Sequence, residues 1–244
     1  MEYPRAETHA PVTPSPDLLS IIVPVYNERR TVRAVIDRLL TIDLPVAREI
    51  VVVDDGSTDG TREELARAVG QGLAFTCVET GRNEGKGSAI RQGLSRLSGS
   101  IVAIQDADLE LDPTQLTRLV EPILRGDTQV VYGSRFMNGA RGAPWLTVVA
   151  NRVLTAVTNV LYGASLTDME TCYKIMRTDV VRSLALRANR FEIEPEITAR
   201  LLRRGHRILE LPVRFDARSR AQGKKIRWRD GVHALRVLVR ERFF

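Results

Sequence analysis

Leu19-Ser20-Ile21-Ile22-Val23-Pro24-Val25 and Glu49-Ile50-Val51-Val52-Val53-Asp54 are the two stretches that decide the fold. Each is a short, nearly unbroken apolar run that ends in a polar loop, the pattern of a strand buried on both faces. Between them Val32, Val35, Ile36, Leu39 and Leu40 recur at helical spacing, so the unit reads as strand, helix, parallel strand. Working outward, further strands are expected at 73–78, 100–105 and 129–132, with helices at 60–69, 88–97 and 113–124. The result is an α/β, doubly wound, mostly parallel sheet, in which ligands lie outside the carboxyl ends of the strands.

Beyond Gly133 the alternation changes. A helix over 145–162, a polar loop, a short segment at 172–176, a helix over 193–204 and a strand over 207–214 are expected, then a basic loop and a terminal helix. This divides the chain into a lead of residues 1–17, one domain over 18–227 and a basic amphipathic helix over 228–244. The lead carries Pro4, Pro11, Pro14 and Pro16 and has no apolar core of a secretory signal, so it is expected to be disordered.

A hydrophobic share of 43% and a charged share of 27% over 244 residues exclude a fibrous repeat or a largely disordered chain. The net charge of +6 and pI near 9.7 suit an anionic partner: nucleic acid, a membrane surface or a phosphorylated ligand. Much of the positive charge falls late, at Arg200, Arg203, Arg204, Arg214, Arg218, Lys224 and their neighbours. No aromatic-interleaved basic stretch or helix-turn-helix pattern supports nucleic acid. Cys77 and Cys172 have no metal-ligand or disulfide spacing, and His9, His206 and His233 are isolated.

The chemistry sits in the strand-end loops. After the first strand come Pro24, Tyr26 and Glu28; after the second, Asp54-Asp55-Gly56-Ser57-Thr58-Asp59-Gly60-Thr61. Tyr26 can pack on a base or ribose, and Glu28 and Asp54 can accept from base N–H or ribose hydroxyl groups. Asp59, just before a helix, is read as a cap ahead of a ligand contact. Gly81-Arg82-Asn83-Glu84-Gly85-Lys86-Gly87-Ser88 precedes a helix, so its backbone N–H groups and Lys86 can meet a diphosphate, although the spacing of a phosphate loop is missing. At the end of the fourth strand, Asp106-Ala107-Asp108 places two carboxylates where both can reach one hard cation, Mg²⁺ or Mn²⁺.

Taken in order, Pro24 to Glu28, Val53 to Thr61, Asn83 to Gly87 and Gln105 to Asp108 resemble glycosyltransferase family 2. Tyr132-Gly133-Ser134-Arg135 resembles its dolichyl-phosphate mannosyltransferase-like and polyprenyl-phosphate glycosyltransferase branch. The resemblance runs from Leu19 to about Trp228. It implies a GT-A (Rossmann-like) fold, an inverting reaction and a nucleotide-sugar donor. It also implies a nucleotide pocket at Pro24, Tyr26, Glu28, Val52 and Asp54, and metal and diphosphate contacts at Asp106, Ala107 and Asp108. Arg135, Arg218 and Lys224 would then face the donor diphosphate or the acceptor phosphate.

Thr167 to Lys174 departs from that branch's usual loop, and Phe191 to Glu196 is more acidic than its counterpart. Asp168 or Glu170 can orient sugar or acceptor hydroxyls, or cap the loop; Glu196 can face the acceptor pocket or pair with Arg200. The reaction implied is transfer of a hexose from a UDP- or GDP-linked donor to a polyprenyl or dolichyl phosphate, by a protein peripheral to the cytoplasmic face of the membrane. Transfer to a sugar hydroxyl, in polysaccharide or glycolipid synthesis, is the alternative. A lipid phosphate is already anionic and needs no strong base, whereas a hydroxyl acceptor requires a carboxylate. No apolar span is long enough to cross a membrane. The helix over 145–162 and the terminal helix, with Trp228, Val232, Leu235 and Val239 on one side, suit either an anionic bilayer surface or ordinary packing.

Overall fold

A computed structural model describes residues 17–137, 145–217 and 228–244. β1 (Leu18–Val25), β2 (Ala47–Asp54), β3 (Thr76–Glu79), β4 (Ile101–Ile104), β5 (Val130–Ser134), β6 (Lys174–Arg177) and β7 (Leu209–Pro212) form one seven-stranded sheet in the order β3-β2-β1-β4-β6-β5-β7. All pairings are parallel except those of β6, which runs antiparallel to both β4 and β5. The strand order turns back at β1, whose neighbours are β2 on one side and β4 on the other. The carboxyl ends of β1, β2, β4 and β5 therefore open on one edge. Because β6 is reversed, its first residue, Lys174, and the loop before it arrive at that same edge.

The two founding runs behave as their composition requires. Ile21, Ile22, Val23, Val52 and Val53 are fully buried, with α1 (Val32–Thr41) and α3 (Lys86–Leu94) among the covering helices. At a nominal 25 cal/mol per Å² of apolar surface, each such side chain contributes roughly 1.5–3 kcal/mol. α1 buries Val32, Val35, Ile36 and Leu39, the positions the helical spacing marks. α2 (Thr61–Gly70) and α4 (Leu116–Leu124), the latter entered through a 3-10 turn capped by Asp112, complete the first half.

The second half adds α5 (Trp145–Tyr162), α6 (Thr178–Ser183), α7 (Ile193–Arg203) and α8 (Trp228–Phe243). A small separate core of Met169, Ala199 and Leu238, packed by Leu154, Val157, Leu161 and Tyr162, joins α5, α7 and α8. Tyr162 donates its hydroxyl to the Leu238 carbonyl at 2.7 Å, and Arg200 on α7 pairs with Glu241 on α8 at 3.0 Å. α5 and α8 thus pack on the domain by one face. The other face of α5 leaves Leu146, Val149, Val153 and Val160 exposed.

Some boundaries move. β3 begins at Thr76, three residues later than the apolar pattern implies, because the Leu73 N–H closes the end of α2 on the Ala68 carbonyl (3.3 Å). The short α6 has no sequence counterpart. Asp17, assigned to the lead, is docked by its carboxylate on Ser100 (2.6 Å) and Arg177 (2.5 Å). Residues 1–16 of that lead lie outside the described residues.

Candidate active site at the strand ends

Three loops at the β1, β2 and β3 ends are stitched by side-chain to backbone hydrogen bonds. Asn27 adopts a left-handed backbone (φ 51°), a conformation that asparagine tolerates. Its N–H donates to Ser57 Oγ (2.9 Å) and its Oδ1 accepts from the Thr58 N–H (2.8 Å). The Glu28 N–H donates to Thr61 Oγ1 (2.9 Å), and Asp59 accepts from the Thr61 and Arg29 N–H groups. Asp59 is therefore a loop brace just ahead of α2, whose N-cap position is taken by Gly60. Tyr26, Glu28 and Pro24 are half-buried along this seam. Asp54 is buried, accepting from the Ser57 N–H (3.2 Å) and lying 3.4 Å from Arg62 Nε. Val52 is fully enclosed in the main core, opposite Val23 and Cys77, so its side chain packs and faces no opening.

The glycine loop departs from its expected role. Asp55 accepts the N–H groups of Glu84 (2.9 Å) and Gly85 (2.7 Å), and the Ser88 N–H goes to the Asn189 carbonyl (2.9 Å). The Glu84, Gly85 and Ser88 N–H groups are therefore consumed inside the protein and are not free to meet a diphosphate. The glycines instead allow close approach: a Cβ on Gly85 or Gly87 would run into the backbone of the 188–189 loop. Lys86, at the start of α3, turns to the end of β4. Its Nζ lies 2.8 Å from Asp106 Oδ1 and 2.8 Å from Glu194 Oε1.

Asp106 and Asp108 follow β4. Gln105 Nε2 donates to the Asp106 carbonyl (2.9 Å), while Gln105 Oε1 takes the Tyr173 hydroxyl (2.7 Å), so a buried amide and phenol fix the path of this loop. Asp108 Oδ1 accepts from the Glu110 N–H (3.0 Å), and Ala107 is buried beneath. Burial pushes the Asp106 carboxyl up, but the Lys86 ammonium and hydrogen bonds outweigh it and hold the group below the usual carboxylate range. Asp106 is thus an ionised, acceptor-only oxygen donor.

Arg135 leaves the end of β5. Asp168, fully buried, binds it twice, Nε to Oδ2 at 2.7 Å and Nη2 to Oδ1 at 2.8 Å, and also accepts the Arg135 N–H (2.9 Å). Phe136 and Phe215 lie 5.4 Å and 5.3 Å from the guanidinium. Although burial opposes the charge, Asp168 keeps Arg135 protonated well above the usual range. Glu210 of β7 in turn holds the Thr167 (2.7 Å) and Asp168 (3.0 Å) N–H groups. Asp168 is committed to Arg135, which corrects its reading as a free orienter of hydroxyls.

Behind these lies Lys174, fully buried. It donates to the Met169 carbonyl (3.0 Å), to the Thr171 carbonyl and to Glu194 Oε2 (2.7 Å), over the Tyr132 ring at 4.7 Å. Glu194 therefore bridges Lys174 to Lys86. Glu170 is raised to about 7, chiefly by burial, and its Oε1 has no hydrogen-bond partner. Glu196 is turned away: it pairs with Arg200 (2.8 Å) and accepts the Arg187 (3.0 Å) and Ala188 (2.8 Å) N–H groups. The acceptor-pocket reading of Glu196 is thereby replaced by a structural one. Arg218 and Lys224 lie outside the described residues.

The mostly parallel seven-stranded sheet is the fold of GT-A glycosyltransferases. The chain belongs to glycosyl transferase family 2, whose pattern matches residues 20–185. Among its relatives, dodecaprenyl-phosphate galacturonate synthase of Rhizobium johnstonii is 28% identical over 209 residues, covering 84% of this chain and 61% of that protein. Undecaprenyl-phosphate mannosyltransferase of Micrococcus luteus is 29% identical over 215 residues, covering 83% of this chain and 85% of that protein. Among solved structures, glucosyl-3-phosphoglycerate synthase from Mycobacterium tuberculosis with Mn²⁺, UDP and phosphoglyceric acid superposes with a TM-score of 0.72, at 23% identity, over 93% of this chain and 79% of that one. The chain spans 61% to 64% of the length of the first curated relatives it matches.

Proposed function

We propose that this chain transfers a hexose from a UDP- or GDP-linked donor to a polyprenyl or dolichyl phosphate, with inversion, while held peripherally at the cytoplasmic face of a membrane. The observation that carries the reading is the meeting, at one strand-end edge, of the Asp106–Lys86 pair with the Arg135–Asp168 pair. The nucleotide would lie along Pro24, Tyr26, Glu28 and Asp54, and the diphosphate toward Lys86, Arg135 and Ala107. Arg218 and Lys224 would add positive charge for the phosphates.

The residues present fit a divalent cation. Asp106 and Asp108 supply hard oxygen donors, Asp106 is ionised, and a cation, the Lys86 ammonium, already lies against it. Bound there, Mg²⁺ or Mn²⁺ would stabilise the negative charge of the departing nucleoside diphosphate. Among the described residues no group of three or more acidic, His or Cys side chains forms a complete cage, so diphosphate oxygens and water would fill the other positions.

The protein's own part is alignment and charge management. An acceptor phosphate arrives as an anion, so its oxygen attacks the anomeric carbon without a strong base. Arg135 is held by two hydrogen bonds and two aromatic rings and reorganises little as charge moves, which is the condition for electrostatic stabilisation of a transition state. A second reading, transfer to a sugar hydroxyl, draws support from Glu170. A carboxyl raised to about 7 by burial, whose enclosed Oε1 has no hydrogen-bond partner, suits a general base.

The test is nucleotide release by purified protein with Mn²⁺ and a panel of UDP-glucose, UDP-N-acetylglucosamine and GDP-mannose. One donor should react only when polyprenyl phosphate is present, and the product should carry the inverted anomeric linkage by NMR. Activity toward a soluble sugar with no lipid requirement, abolished in Glu170→Gln, would favour the hydroxyl acceptor.

A further inference from the structure

A cavity of about 360 Å³ opens outside the strand-end cluster, between the loop before α7 and the terminal helix α8. That volume falls in the range of small-ligand sites, roughly 300–1,000 Å³. Arg187, Asn189 and Glu192 line one wall, and His233, Arg236 and Arg240 the other. Cations outnumber the single acid. Arg240 shares its charge with Glu241 (2.9 Å), but among the described residues the side chains of Arg187, Arg236 and His233 make no hydrogen bond or ion pair. Unpaired guanidinium groups around a concavity attract an anion, and their planar donors suit phosphate oxygens.

The wall is built rather than incidental. Glu196 grips the Arg187 and Ala188 N–H groups from below, and Arg91 reaches Asn189 Oδ1 at 2.6 Å from α3. The loop is thus fixed on its inner side while the Arg187 side chain projects outward. On α8, His233, Arg236 and Arg240 follow one another at i, i+3 and i+7 and form a single stripe. Val232, Leu235 and Val239 each precede one of them by one residue, so an apolar stripe runs about 100° away along the same helix. That stripe is open to solvent: Val232 is 40%, Leu235 41%, Val239 40% and Phe243 66% exposed. The buried side of α8 carries Ala234, Val237 and Leu238, and Val237 forms part of the cavity floor between His233 and Arg240.

A free phosphate would need only the basic stripe. The neighbouring apolar stripe distinguishes a ligand whose charge is attached to hydrocarbon. We propose that this cavity is a docking site for the phosphodiester headgroup of an anionic glycerophospholipid, with Val232, Leu235, Val239 and Phe243 set against the acyl region. It rests on the proposal of peripheral membrane association and gives that association a specific partner, separate from the polyprenyl-phosphate acceptor. Because the 188–189 loop also covers Gly85 and Gly87, the occupied site would abut the glycine loop that carries Lys86.

The test is co-sedimentation of the purified chain with vesicles of phosphatidylcholine, with and without phosphatidylglycerol, and without polyprenyl phosphate. Binding should require phosphatidylglycerol and weaken with salt. Each basic side chain near an anionic surface is worth about a five-fold change, so Arg187→Gln with Arg236→Gln should weaken binding roughly 25-fold. The double variant should melt as wild type and keep wild-type transferase activity on detergent-dispersed polyprenyl phosphate. Wild-type binding that ignores phosphatidylglycerol, or a double variant that binds as wild type, would overturn the proposal. Saturable binding of inorganic phosphate that displaces the vesicles would reassign the cavity to a free anion. Failure of lipid-phosphate transfer with vesicle binding intact would sink the proposed reaction and leave this site standing.

Discussion

Replacing Asp168 by Asn isolates the contribution of the Arg135 clamp. Asp168 is fully buried and Arg135 only 13% exposed, so solvent does not compensate the Asp168 charge and compensates that of Arg135 only in small part. Removing one member of a buried pair costs about 3–5 kcal/mol. The lower end applies here, because Asn keeps an acceptor for the Arg135 N–H and Arg135 retains some solvent. A loss of about 3 kcal/mol in a chain of this size lowers Tm by roughly 6–12 °C. Thermal and urea unfolding measure that directly. Since Arg135 would also lose its fixed orientation, kcat/KM for nucleotide-sugar turnover should fall about 100-fold. The double variant Arg135→Met, Asp168→Leu separates the two effects: stability should return to within about 1 kcal/mol of wild type while activity stays lost. An Asp168→Asn protein melting within about 2 °C of wild type would show that the Arg135–Asp168 pair adds little to stability.

Glu170 gives a pH signature. Burial raises its carboxyl from 4.5 to about 7, so its contribution to stability is fully present below 4.5 and is lost as pH rises through 7. Glu170→Gln cannot ionise; its Tm relative to wild type should therefore climb between pH 5 and pH 8, and a flat difference would show that Glu170 titrates normally. Gly87→Ala drives a Cβ into the Ala188 carbonyl and should cost about 1–3 kcal/mol while raising KM for the donor, read by urea unfolding and initial rates. Lys86→Met removes the ammonium that competes for Asp106, so Mn²⁺ should bind the donor-free protein more tightly by electron paramagnetic resonance, even as turnover falls.

The founding strands were legible because burial on both faces leaves an apolar run with no polar interruption, as Ile21 to Val23 and Val51 to Val53 show. The strand-end motifs were legible because they are local: Asp106 and Asp108 are two residues apart and lie at one loop. Their partners were not. Lys174 sits fully buried at the start of β6, where its charge disguises the strand, and Glu194, which neutralises it, comes from another helix. Arg135 and Asp168 meet only because β6 reverses direction and returns its preceding loop to the β5 end. Gly85 and Gly87 suggested a phosphate loop in sequence; only the packing of the 188–189 loop shows why side chains are excluded there. A useful signal lay in Thr167 to Lys174 itself, where carboxylates and a lysine interrupt an otherwise apolar approach to a strand.

Transfer to a lipid phosphate is measured most directly by the destination of a labelled sugar. Protein, Mn²⁺ and the radiolabelled donor selected by the panel are incubated with polyprenyl phosphate, and the label is partitioned between organic and aqueous phases. Label should appear in the organic phase as a sugar-phosphate lipid, dependent on both Mn²⁺ and lipid, and be lost in Asp108→Asn. Label that stays aqueous, as free sugar or on a soluble acceptor, or transfer that survives chelation and Asp108→Asn, would contradict metal-dependent transfer to the lipid.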